Sequence, residues 1–271
     1  TITLEAFEQS EHGASVSALC QTLSTRAASY LQEHRYDACV EDCDRALTLL
    51  ESACNDTGDA HSAMVVLQIK LRVRKGSAEC ELGLAPEALA SYNKAVILVN
   101  QMTDEALLES LLPVLMDMEK VRKLSELLVL KANADALFRA RHFNKALDIY
   151  STILAQAPTI VGALSNRSSV LLALGRWDEA IDDCTHALEL LSYDGIQDTA
   201  GRVRRPVGPC PAHGTVRHNS WMAKTLARRG AAYVKLSDFA KALADFQRAS
   251  AFDPENESLK QDVENVRSKV S

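Results

Sequence analysis

Apolar residues recur along this chain at three- and four-residue spacings, interrupted by short polar turns, and that pattern predicts antiparallel helix pairs rather than strands. The first pair runs from Val16 to Glu33 and from Tyr36 to Ser52, broken at His34-Arg35. A polar stretch with Asn55, Gly58 and Asp59 follows, then a second pair over Ala63–Leu82 and Glu87–Val99. Its turn is Gly83-Leu84-Ala85-Pro86, with proline suited to a first helical turn. Asp104 to Leu112 reads as a further helix, and Pro113 should start or kink a helix running on to Arg141. The third pair is Lys123–Arg141 with Asn144–Gln156, the fourth Ile160–Leu174 with Trp177–Leu191, and the fifth Ser220–Leu236 with Phe239–Phe252. A polar helix from Glu255 to Lys269 is expected to cap the open end.

Two of these pairs are near copies. Leu23–Leu50 (LSTRAASYLQEHRYDACVEDCDRALTLL) and Leu164–Leu191 (LSNRSSVLLALGRWDEAIDDCTHALELL) align without a gap. Self-similarity of this kind marks stacked supersecondary units. The predicted organisation is a two-hairpin N-terminal module over residues 1–102, truncated ahead of Thr1, a linker helix over 103–122, and a three-hairpin C-terminal module over 123–271. The last module contains a break: residues 193–218 mix Gly195, Gly201, Pro206, Gly208, Pro209 and Pro211 with arginines, which reads as a mobile surface insertion.

Composition agrees with close-packed helices. Hydrophobic residues make up 47% of the 271-residue chain and aromatic residues only 5%, too few for a β-sandwich or barrel. The net charge of -6 gives no general attraction to nucleic acid or to anionic lipid. Seven cysteines, an odd number without a C-x-x-C pair, favour a reducing, cytoplasmic compartment and read as small buried hydrophobes. Cys210, His213 and His218 lack a fourth ligand for zinc, so no metal and no cofactor is expected. No nucleotide loop, metalloprotease motif or nucleophile elbow is present in the sequence, so the chain is read as a binding protein and not an enzyme.

The fifth pair places Gly230, Tyr233, Ala242, Phe246, Ala249 and Pro254 at the spacing of the tetratricopeptide repeat, in which small residues let helices approach and aromatics fill between them. The third keeps Ala134, Leu137, Ala146, Tyr150 and Pro158, the second Gly76, Ala88, Tyr92 and Ala95, and the fourth Ala180 and Ala187. The first keeps Tyr30 and Ala46, with Cys39 in place of alanine. This resemblance implies an all-α superhelix of antiparallel helix hairpins. The phrases YDACVEDCDRAL and WDEAIDDCTHAL further resemble the second repeat of co-chaperone domains that clamp the C-terminal carboxylates of the seventy- and ninety-kilodalton heat-shock chaperones.

Carried over position by position, the resemblance implies a clamp of Lys131, Asn166, Lys224 and Arg228. Its fifth position holds Asp135 where the family has asparagine, and an ionised aspartate donates no hydrogen bond to a carboxylate. In the N-terminal half Lys70 and Arg74 match the Lys224 and Arg228 pair, while Thr25 replaces the asparagine, giving a possible second groove. Arg167 and Arg229 are neighbours of clamp positions and should point away from the groove, because adjacent helical positions diverge. The expected function is an adaptor or co-chaperone binding an acidic chaperone tail. The alternative rests on KTLARRGAAY and the insertion before it, which resemble co-chaperones of axonemal dynein assembly, and implies a scaffold that binds folded partners with a degenerate clamp.

Overall fold

The computed structural model describes residues 13–52, 59–192 and 206–270. Among these there are twelve helices and no strand: α1 Gly13–Gln32, α2 Tyr36–Ser52, α3 Asp59–Leu82, α4 Ala85–Asn100, α5 Glu105–Ser110, α6 Leu112–Arg139, α7 Phe143–Gln156, α8 Val161–Ala173, α9 Trp177–Leu191, α10 Val216–Lys235, α11 Phe239–Phe252 and α12 Glu257–Val270. They form two compact units, residues 1–129 and 130–271.

Unit 1 holds the α1/α2 and α3/α4 hairpins, with α2 also packed on α3. Its core includes Leu23, Leu50, Ile69 and Leu71, each almost wholly buried. The linker predicted over 103–122 departs from expectation. Leu111, Met118 and Val121 are buried against Ile69, Val73, Cys80 and Ala88 of the α3/α4 hairpin, so this stretch belongs to the core of unit 1. The unit boundary instead falls within α6, after Val129. Pro113 falls in the first turn of α6, where a proline forfeits only an amide that has no intrahelical partner.

Unit 2 continues from α6 through the α8/α9 and α10/α11 hairpins to α12. Small residues sit where helices cross: Ala134, Ala146, Ala163, Ala180, Ala187, Ala242 and Ala249 are completely buried. At Gly230 even a methyl group would lie 3.2 Å from the Phe246 ring, so glycine there lets α10 approach α11. The cap α12 turns Leu259, Val263 and Val266 inward and charged residues outward.

All five hairpin turns share one backbone device. A residue one or two positions past the first helix of each pair adopts the left-handed conformation: His34, Gly83, Arg141, Gly175 and Ser237, with φ between 59° and 82°. Its amide donates to the carbonyl three residues back, and the next amide donates to the carbonyl five residues back, as in Arg35 N–H to Tyr30 O at 2.8 Å and Asp238 N–H to Tyr233 O at 2.9 Å. This paired closure satisfies the carbonyls that the helix end leaves open.

The insertion is shorter on its C-terminal side than predicted. Helix α10 begins at Val216, where Thr215 caps it by accepting a bond from the His218 amide at 3.1 Å. His218 is buried, and its Nε2 lies 2.9 Å from the Leu191 carbonyl, tying the end of α9 to the start of α10. Val207 N–H donates to Thr159 O at 3.2 Å, which ties this position to the turn before α8. The remainder of the predicted insertion, residues 193–205, lies outside the described residues.

Candidate functional site

Three successive helices of unit 2 converge on one carboxylate. Asp135, on α6, receives Lys131 Nζ at 2.9 Å from one turn earlier on the same helix. Asn166 of α8 donates its amide to Asp135 Oδ1 at 2.8 Å, and the Tyr150 hydroxyl of α7 donates to the same oxygen. An acceptor-only carboxylate fixes the Asn166 amide with its NH2 toward Asp135. Burial, and then the bond to Asp135, hold the Tyr150 hydroxyl protonated well above its ordinary range.

Helix α10 supplies the second half of the site. The Arg228 guanidinium donates to the Ser165 carbonyl at 2.9 Å and to the Ser165 hydroxyl. Arg228 also interacts electrostatically with the Tyr150 hydroxyl, which places it close to the Asp135 cluster. Burial lowers the Arg228 pKa from its usual value, and among the described residues no carboxylate pairs with it. Lys224 lies one turn before Arg228, exposed and without a partner among the described residues. Gly162 completes the floor: a side chain there would meet the Lys131 stem at 2.9 Å and the Trp221 ring at 3.6 Å.

The structure therefore joins Lys131, Asp135 and Asn166 by direct bonds and fixes Arg228 next to them, with Lys224 on its own turn. Tyr150, Ser165 and Trp221 belong to the same surroundings and were not among the predicted site residues. The signal for Tyr150 was present, since its position was read as a packing aromatic, but periodicity does not say where its hydroxyl points.

In unit 1, Arg74 repeats the Arg228 contact, donating to the Ser24 carbonyl at 3.0 Å and to the Ser24 hydroxyl. Lys70 lies one turn before it. Thr25, in the place of the asparagine, uses its hydroxyl within its own helix, bonding Gln21 O at 2.9 Å. The unit 1 positions thus offer two cations and no side-chain amide.

Arg167 and Arg229 point away from the site and form two-pronged ion pairs inside their own hairpins. Arg167 reaches Asp183 at 2.7 and 2.6 Å, and Arg229 reaches Asp245 at 2.7 and 2.8 Å. Arg26 and Asp42 make the same pair in the first hairpin, at 2.6 Å. The arginine precedes the aspartate by sixteen residues each time. This spacing, visible in the sequence, would have assigned all three pairs. A crevice of about 510 Å³ beside Arg167 and Asp183, bordered by Ser151, Leu154, Pro158 and His186, contains none of the predicted clamp residues.

Among the described residues no helix is long and apolar enough to cross a membrane. Residues 131–194 and 223–256 match models of the tetratricopeptide repeat. Hsp70-Hsp90 organizing protein 3 of Arabidopsis thaliana is 24% identical over 251 residues, covering 88% of this chain and 37% of the relative. Dynein axonemal assembly factor 4 of Rattus norvegicus is 26% identical over 138 residues, covering 51% of this chain and 28% of the relative. The chain thus spans only 37% and 28% of the length of these two curated relatives. Among solved structures, the tetratricopeptide domain of P58(IPK) superposes with a TM-score of 0.50 at 13% identity, over 92% of this chain and 65% of that one. Built from repeated helix hairpins, the chain carries tetratricopeptide repeats over residues 131–194 and 223–256 and is similar to Hsp70-Hsp90 organizing proteins and to dynein axonemal assembly factor 4.

Proposed function

We propose that the chain is an adaptor that holds the acidic C-terminal peptide of a heat-shock chaperone in the unit 2 site, with Arg228 and Lys224 receiving carboxylate. One observation carries this reading. Arg228 is a guanidinium drawn away from solvent whose acceptors, Ser165 O and Oγ, are both neutral. A partly buried cation without a counter-ion carries a desolvation cost, and an arriving carboxylate supplies a counter-ion through charge-assisted hydrogen bonds. Lys224, exposed one turn away, adds a second charge to the same ligand. Similarity to Hsp70-Hsp90 organizing protein 3 supports a chaperone as the source of the peptide.

Calorimetry of the full chain with a peptide ending in Glu-Glu-Val-Asp, at two salt concentrations, tests the proposal. Binding should weaken with salt, and Lys224→Glu should reduce affinity by about tenfold or more, the equivalent of one lost charge-assisted contact. Absence of binding heat at high micromolar peptide, or a Lys224→Glu protein that binds unchanged, refutes it. A second reading, an assembly scaffold for folded partners, draws on the Asp135 cluster, in which part of the predicted clamp is bonded internally, and on the likeness to dynein axonemal assembly factor 4.

A further inference from the structure

Asp135 occupies the site as a resident anion. Its carboxylate accepts bonds from Lys131 and Asn166, at 2.9 and 2.8 Å, and from the Tyr150 hydroxyl. These donors come from α6, α8 and α7, so the carboxylate lies where three elements direct their polar hydrogens. A ligand carboxylate arriving at that point would find the donors already engaged. It would also meet a like charge at close range, a repulsion that offsets several good contacts.

The remaining capacity is unequal. On the Asp135 side, Lys131 is neutralised by an ion pair and the Tyr150 proton is committed. On the α10 side, Lys224 has no internal partner among the described residues, and Arg228 has only neutral ones. We propose that the unit 2 site accepts a single carboxylate, on Lys224 and Arg228, and that the part of the ligand lying over Asp135 is uncharged. This rests on the reading of the site as a receptor for acidic peptides and names the specificity residue within it. Asp135 acts by withdrawing donors and adding charge, without itself holding the ligand. The single carboxylate is either the main-chain terminus or an acidic side chain.

Three peptides of common sequence distinguish these cases: one ending in Glu-Glu-Val-Asp, with two carboxylates on its last residue; one ending in asparagine, with the main-chain carboxylate alone; and the C-terminal amide ending in aspartate, with the side-chain carboxylate alone. Each is titrated by calorimetry into the full chain and into Asp135→Asn. In the unsubstituted protein the doubly charged terminus should bind no more than about threefold tighter than the better single-carboxylate peptide, and that better peptide identifies the group received. Asp135→Asn frees Lys131 and should improve the doubly charged peptide by about tenfold or more relative to the other two. A tenfold preference for the doubly charged peptide in the unsubstituted protein overturns the inference alone. So does an Asp135→Asn protein with unchanged peptide ratios. Failure of all three peptides to bind either protein overturns the adaptor reading and this inference with it. Should Asp135→Asn lose its helical circular dichroism, the peptide ratio in the unsubstituted protein decides by itself.

Discussion

Replacing Asp245 with alanine removes the acceptor of two Arg229 hydrogen bonds, 2.7 and 2.8 Å long, and leaves the guanidinium with Thr185 Oγ1 at 3.1 Å as its hydrogen-bond partner among the described residues. The pair is well covered, with the arginine side chain 15% and the aspartate 5% exposed. A guanidinium keeps its charge at any ordinary pH, so Arg229 stays charged when the partner is lost. Breaking a buried pair costs about 3–5 kcal/mol and an exposed pair about 0–1 kcal/mol. Because the Arg229 tip can still reach water, we place Asp245→Ala at about 3 kcal/mol. The equivalent Asp183→Ala leaves an arginine that is 24% exposed, for a cost of about 2 kcal/mol, and Asp42→Ala one that is 37% exposed, for about 1 kcal/mol after solvent screening. Urea denaturation measures the series. Trp177 and Trp221, the two tryptophans of the chain, both lie in unit 2, so fluorescence follows the Asp245 and Asp183 variants, and far-ultraviolet circular dichroism follows Asp42 in unit 1. A cost below about 1 kcal/mol for Asp245→Ala, or a reversed order, would refute burial as the source of the strength of these pairs.

Glu81, on α3, has its pKa raised to about 7 by burial. The folded state then holds a proton that the unfolded chain releases near its ordinary value, so stability declines as pH rises from about 4.5 to 7 and stays lower above that, by at most about 3 kcal/mol. Glu81→Gln should therefore stabilise unit 1 at pH 8 and be nearly neutral at pH 4.5; equal melting shifts at both pH values would contradict this. Ser237 closes the last hairpin with φ 62°, a conformation that glycine adopts without steric cost. Ser237→Gly should raise the urea midpoint of unit 2 by the equivalent of about 0.5–1 kcal/mol, and a lowered midpoint would show that the loss of chain stiffness outweighs the relieved strain.

The hairpins were legible in the sequence because their signal is local: a 3.6-residue period sets each inward face, and Gly230 or Ala242 marks where helices cross. The turns were only half legible. Gly83 and Gly175 announce the left-handed closure, but His34, Arg141 and Ser237 adopt it under the constraint of the packed hairpin, with no side-chain signal of their own. The start of α10 was misplaced because Gly208, Pro209, Pro211 and Gly214 gave their neighbours the look of a loop, whereas Thr215 supplies a cap and His218 a buried anchor. The stretch over 103–122 reads as a linker because helical period alone cannot tell a buried apolar stripe from one that merely spans. In the site, the resemblance to co-chaperone repeats singled out Lys131, Asp135, Asn166 and Arg228. It could not show that Asn166 and Tyr150, from two other helices, would close on Asp135.

That distinction between position and partner determines which substitutions can separate folding from recognition. Arg228 and Arg74 make the same contact, each gripping a serine carbonyl and hydroxyl of a neighbouring helix, in units that otherwise differ around them. A contact kept in both units serves helix packing whether or not a ligand arrives, so removing Arg228 would disturb α8 and α10 together with any binding. Lys224 has no such internal duty among the described residues, and its charge can be reversed with little effect on the core. Asp135 lies between these extremes, because asparagine keeps its shape and can still accept from Lys131, Asn166 or Tyr150 while losing the charge. Lys224→Glu therefore asks whether the site recognises an anion, and Asp135→Asn asks how many carboxylates it admits.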